Sequence, residues 1–290
     1  MDILLKLKAL DLSKADPDTI RRLMGDAKLS AIEFEISVDT LIVRGRKGGF
    51  FTDKKDMTYC PVQYCKDIQR ATLAGNTMFY GVISDNQAHL ENARAICAIE
   101  CSELCNKGIN SVGKEIITIS HWRVVKPLKV CSFITDTTFP NVRNNTLLNQ
   151  MRASFIRTHS LYKTSKDTIN VARFVSDEFA KPVNRSYEYL ITATISNDFI
   201  NCLGFDGVVY PSAKLGGQAG LNIALSPIAV DTKLSFIRTI QQTLYKNREH
   251  SFIRIEAVNE DGITQKLNHA SDNDVAKIIG IADINHLPSY

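Results

Sequence analysis

Several common functional classes are missing from this sequence. No apolar run approaches the length needed to cross a bilayer. The opening residues, MDILLKLKALDLSKAD, lack the basic-then-apolar pattern of a secretory signal, so no membrane association is expected. The net charge of +4 comes without a dense basic stripe, which argues against direct nucleic-acid binding. There is no internal repeat, low-complexity tract or composition break sharp enough for a linker. The run Gly216-Gly217-Gln218-Ala219-Gly220 lacks the following helix that a Walker or Rossmann phosphate loop requires. The seven cysteines (60, 65, 97, 101, 105, 131 and 202) are odd in number and contain no CxxC pair. Zinc sites favour such pairs, so structural thiols in a reducing cytoplasm, and no metal, are expected.

What is present is an ordinary globular composition, 44% hydrophobic and 23% charged over 290 residues, enough to bury a real core. Residues 1 to 30 read as helical, with Asp16-Pro17-Asp18 as a cap followed by a first-turn proline. Residues 31–36 alternate as a half-buried strand, and 40–46 is a second strand candidate ending on Arg44 and Arg46. The stretch 50–69 is irregular and long, as binding loops often are. A short strand ends on Tyr80, and a helix is expected over 93–104. Residues 115–124 and 128–134 read as strands. The pattern then predicts helix over 144–180 and again over 187–199. Short strands follow at 208–210 and 221–225, and alternation over 234–267 predicts antiparallel strands around an Asp261-Gly262 turn. The last twenty residues show no clear pattern. The sum is one α+β domain, with a core over 41–234 and extensions over 1–40 and 235–290.

The chemistry concentrates between Gln69 and Leu104. Arg70 precedes a small-residue loop, Tyr80 ends an apolar strand, and Glu100 shares the apolar face of its helix with Ala93, Ile96, Cys97 and Leu104. A carboxylate at such a position is seldom buried without a partner. A cation, an aromatic platform and a shielded anion suit a ligand carrying phosphates and a positively charged ring. Ser212, after Pro211, adds a hydroxyl at a strand end. Each residue also has an ordinary structural reading: Arg70 a surface cation, Tyr80 a core aromatic, Ser212 a turn residue. His121, in Ile119-Ser120-His121-Trp122, reads either as a ligand contact at a strand end or as a satisfied core histidine.

Four segments together resemble the RES domain family. Leu41 to Arg46 is similar to its opening strand and arginine. Arg70 with Gly75 and Tyr80 resembles its Arg-loop-Tyr motif, and Ala95 to Glu100 its glutamate helix. Asp206 to Ser212, followed by Asn222 to Leu225, resembles its serine segment. The resemblance implies an ADP-ribosyltransferase-like fold, a mixed and antiparallel β core with flanking helices. It also implies an enzyme that consumes NAD by cleaving the nicotinamide–ribose bond, with water or phosphate as acceptor. In bacteria such domains commonly act as toxins held by a helix-turn-helix (Xre-like) antitoxin.

On that reading Glu100 would place negative charge beside the oxocarbenium-like centre. Arg70, helped by Arg44 or Arg46, would hold the pyrophosphate. Tyr80 would stack on nicotinamide, Ser212 would bond ribose or orient Glu100, and Asn222 would join the nucleotide contacts. Shorter family members place the acid where Glu91 stands, and choosing Glu100 requires a nine-residue insertion between Val82 and Ala93. Glu91, near the helix start, is explained by the helix dipole alone. Thr72 stands where the family commonly has asparagine. Transfer of ADP-ribose to a macromolecule, or non-catalytic nucleotide binding, are the alternative readings.

Overall fold

The computed structural model describes residues 3–27, 32–84, 90–108, 110–142, 145–212, 220–267 and 270–290. The chain opens with helices α1 (Ile3–Lys8) and α2 (Pro17–Ala27). The Asp16 carboxylate accepts the Thr19 N–H at 2.7 Å, which caps the start of α2 as the Asp-Pro signal predicts. Strands β1 (Glu33–Ile36) and β2 (Leu41–Lys47) follow, then a single-turn α3 (Lys54–Met57) in an otherwise irregular stretch. Strand β3 runs Phe79–Ser84, so it begins near Tyr80 rather than ending there. Helix α4 (Leu90–Cys101) is separated from the short α5 (Glu103–Asn106) at Ser102, whose side chain accepts the Cys105 N–H. The helix expected over 93–104 is therefore two pieces, because a capping serine restarts the chain.

Next come β4 (Gly113–Val124) and β5 (Leu128–Ser132). The long helical stretch resolves into α6 (Thr146–Leu161) and α7 (Lys166–Ala180). Lys163 at φ 45° breaks the run, and Ser165 caps α7 by accepting from Thr168. Helix α8 (Leu190–Asn201), strands β6 (Gly207–Pro211) and β7 (Leu221–Leu225), and helix α9 (Pro227–Lys233) follow. The chain then makes β8 (Leu234–Lys246), β9 (Ser251–Glu260) and β10 (Ile263–Lys266). Asp261 and Gly262 turn between the last two at φ 51° and 78°, the paired left-handed backbone of a tight hairpin. The patternless tail contains α10 (Asp272–Ile279), started by a Ser271–Asp274 capping box and stopped by left-handed Gly280. The fold class is α+β, with helices flanking mixed strands. No helix among the described residues is long and apolar enough to cross a membrane.

The chain divides into two compact units, each assembled from three segments. The first comprises Met1–Val38, Tyr59–Tyr80 and Val124–Leu234. Its strands run in the order β1-β5-β6-β7, with β5 and β6 parallel and the other pairs antiparallel. Helices α7 and α8 pack on β6, and their Phe174, Phe179, Ile195 and Phe199 fill the core with Val208 and Tyr210. A Cβ on Gly207 would lie 2.2 Å from the Ala224 carbonyl oxygen, so only glycine lets β6 begin that close to β7.

The second unit comprises Asp39–Thr58, Gly81–Arg123 and Ser235–Tyr290. Here β2 lies between β3 and β4, with β8, β9 and β10 continuing beyond β4. Helix α4 packs against β2, while α10 buries Val275 and Ile279 with Tyr245 of β8.

Candidate functional site

The seven residues singled out by sequence divide between the units. Arg70, Tyr80, Ser212 and Asn222 belong to the first; Arg44, Arg46 and Glu100 belong to the second.

In the first unit, Gln69 and Thr72 exchange backbone hydrogen bonds of 2.8 and 3.1 Å, closing a tight loop with Arg70 at its tip. The Arg70 guanidinium turns toward the C-terminal end of α7. Its Nη1 donates to the carbonyls of Phe179 and of Lys181 (3.1 Å), and its Nη2 donates to the Tyr189 hydroxyl at 3.3 Å. The guanidinium carbon also sits 4.7 Å from the centroid of the Tyr189 ring. A cation at the carbonyl end of a helix offsets the negative pole of its dipole and satisfies carbonyls that lack helical partners. Three of the five N–H donors of the side chain are committed in this way.

The half-buried Tyr80 is held to the same loop. Its hydroxyl accepts the Ala71 N–H at 3.2 Å and shares a short hydrogen bond with the Thr72 hydroxyl. Thr72 is 3% exposed and serves as the partner of the phenol. Tyrosine and arginine loop are thus locked together.

Ser212 and Asn222 sit on the β6–β7 pair. Tyr210 opposes Asn222 in register, and the Ser212 N–H continues the ladder to the Gly220 carbonyl at 2.9 Å. Side chains two apart on a strand, and those directly opposed across an antiparallel pair, share a face. Tyr210, Ser212 and Asn222 therefore point to one side. Both polar residues are buried, at 4% and 7% exposure. On that side the Tyr210 ring stacks on Phe179 with centroids 4.9 Å apart, and the Phe179 carbonyl is the one that Arg70 binds. Phe179 thereby joins the arginine–tyrosine loop to the serine–asparagine strand pair. The sequence offered no sign of Phe179 or Tyr189 in this role, because both contacts lie more than a hundred residues from Arg70 along the chain.

In the second unit, register separates the two arginines from the glutamate helix. Leu41, Val43 and Gly45 of β2 pair with Arg123, His121 and Ile119 of β4, and these six share a face. Helix α4 covers that face: the Cys97 thiol donates to the Val43 carbonyl at 3.7 Å. A Cβ on Gly45 would lie 2.8 Å from the Cys101 sulfur and 3.1 Å from that of Cys97. Alternation puts Arg44 and Arg46 on the opposite face. There Arg46 lies over the Phe51 ring, 4.3 Å from its centroid, and donates to the Asp56 carbonyl at 2.6 Å.

Glu100 is half-buried on α4, one turn beyond Cys97. Burial pushes the Cys97 thiol well above its ordinary value, with Cys101 and Glu100 acting in the same direction and Arg44 against it. The buried thiol therefore senses both the Arg44 and the Glu100 charges. Glu91, the alternative acid, stands 78% exposed in the first turn of α4 and is ion-paired with Arg94. The cysteine face of α4 is a packing surface, and all seven cysteines are free thiols. Among the described residues no cluster of three or more His, Cys, Asp or Glu could hold a metal ion.

His121, the candidate left open by sequence, lies in mid-strand at 2% exposure, with Nδ1 accepting from the Arg238 Nε–H at 3.2 Å. It lines a cavity of its own within the second unit.

No protein-family model matches this chain, and no curated protein matches it.

Proposed function

We propose that the chain is an NAD-consuming enzyme of RES type that cleaves the nicotinamide–ribose bond. The observation that supports this reading is that Arg70, with Tyr80 held to its loop, donates to the Phe179 carbonyl, while the Phe179 ring stacks on Tyr210 of the strand pair that carries Ser212 and Asn222. Arg70, Tyr80, Ser212 and Asn222 come from two distant segments that resemble family motifs, and they combine a guanidinium, a phenol, a hydroxyl and an amide. A guanidinium with two N–H groups beyond its contacts among the described residues suits a pyrophosphate, and hydroxyl and amide groups suit a ribose. Glu100 is half-buried where Glu91 is exposed, and it is the acid that the family resemblance assigns to a developing cation.

The balanced step is hydrolytic. The bond between ribose C1′ and the pyridinium nitrogen breaks, and its electron pair stays on nitrogen, neutralising the ring. A water oxygen bonds to C1′ and releases one proton, giving nicotinamide and ADP-ribose. Phosphate can replace water as the acceptor. Seven free thiols support a reducing cytoplasmic setting, and the family reading brings with it an Xre-like antitoxin as partner.

The test is release of nicotinamide from NAD by the purified, folded chain. Release is expected, with Glu100→Ala abolishing it and Glu91→Ala leaving it intact. The reverse pattern would move the acid to Glu91, and no release by folded protein would overturn the proposal.

A further inference from the structure

The second unit contains a cavity of about 490 Å³ lined by Asp39, Leu41, Leu90, His121, Arg123, Ile237, Arg238 and Glu260. Its floor is the sheet face described above. Arg123 and His121 stand two apart on β4, and Arg238 faces Glu260 across the β8–β9 pair. Leu90 contributes the first residue of α4.

The histidine is the unusual group. Its Nδ1 accepts from the Arg238 Nε–H, so in the neutral ring the proton must sit on Nε2. That Nε2 is buried and has no hydrogen-bond partner among the described residues. A second proton on the ring is opposed by burial and by the Arg238 and Arg94 charges, which together bring its proton affinity down to a pKa of about 3. The ring therefore presents one N–H donor, and an orphaned buried donor costs the fold free energy that an acceptor would restore.

The surrounding charge says what kind of acceptor. Arg123 and Arg238 line the cavity against Asp39 and Glu260, and Arg94, whose charge also reaches the ring, is ion-paired with Glu91. Glu260 is the weaker holder of Arg238: their closest approach is 3.7 Å and both are partly exposed, an arrangement worth little in water. Arg123 is exposed and makes no hydrogen bond or ion pair among the described residues. The lining charges balance in number, but Arg238 is loosely held and the Arg123 guanidinium is uncommitted among the described residues, so guanidinium donors stand beside a buried N–H.

We propose that this cavity binds a small molecule through a carboxylate or phosphate group, whose oxygen accepts the His121 Nε2–H while Arg123 and Arg238 supply the opposing charge. The volume is within the range of small-molecule sites. The proposal stands apart from the NAD reading, since none of the residues assigned to NAD lines the cavity.

The test follows the His121 Nε2–H resonance in protein carrying ¹⁵N-labelled histidine. Inorganic phosphate is titrated in one arm and succinate in the other. A saturable shift is expected with at least one, and the tighter arm names the anion. Arg123→Gln, a surface change that leaves the core alone, should weaken that binding about tenfold or more, as loss of a charge-assisted hydrogen bond does. Arg157→Gln, a change to an exposed residue of the first unit, should leave it unaltered. Absence of a saturable shift in both arms would overturn the proposal. So would equal weakening by Arg157→Gln, or undiminished binding in Arg123→Gln.

Discussion

Acid should find His121 before it finds most of the fold. In the unfolded chain this ring takes up a proton as pH falls through its ordinary value of 6.5, whereas in the folded protein it does so only near 3. Between those limits the unfolded state binds more protons, so stability rises with pH there. The contribution of the neutral ring is complete above about pH 6.5 and is lost progressively as pH falls toward 3. At about 1.36 kcal/mol per tenfold difference in proton affinity, the full effect would approach about 5 kcal/mol. From pH 6.5 down to about pH 5, this one group would remove about 2 kcal/mol.

Acid acts on the whole chain, so the quantity to read is a difference. Urea unfolding would be measured for the native chain and for His121→Gln across this range, with the m-value checked for constancy. Native stability should fall more steeply than that of the variant, by about 1 kcal/mol per pH unit. Parallel curves would refute the reasoning, as would a His121 resonance that titrates near pH 6.5 in the folded protein.

Gly45→Ala would drive a methyl group to 2.8 Å from the Cys101 sulfur, and overpacking of this kind should destabilise the second unit by about 1–3 kcal/mol in denaturant unfolding. An unchanged midpoint would mean that α4 shifts freely on β2. Arg70→Ala should lower stability by about 1–3 kcal/mol, because it leaves the Phe179 and Lys181 carbonyls without their donor. If the NAD reading holds, the same variant should raise KM more than it lowers kcat, and a loss of kcat with unchanged KM would count against that role. Glu115 is 1% exposed and accepts from the Ser102 hydroxyl and from the Glu103 and Leu104 N–H groups, at 2.5, 3.0 and 3.2 Å. Glu115→Ala strips the start of α5 of these acceptors and should cost about 2–4 kcal/mol; a smaller loss would show that α5 finds other partners.

Local signals in the sequence determined much of this protein. Alternation marked β1 and the strands β8 to β10, because side chains on a half-buried strand must take turns between core and surface. Asp16 with Pro17, and Asp261 with Gly262, marked a helix start and a hairpin turn through backbone chemistry that needs no distant partner. The same kind of signal stands in the tail, where Ser271, Asp274 and Gly280 bracket α10. The prominence of Arg70, Tyr80, Glu100 and Ser212 also came from the sequence, through residue type and spacing.

Tertiary structure alone decided what those groups touch. Arg70 meets α7 and Tyr189 only because segments more than a hundred residues apart pack together. Arg44 and Arg46 fall on the face away from α4 because strand register, which is set by pairing with β4, fixes the side to which every second residue points. The buried donor of His121 depends on Arg238, 117 residues downstream, arriving on the neighbouring strand. A hydrogen bond to one ring nitrogen dictates the proton on the other, and no reading along the chain could anticipate which nitrogen that would be.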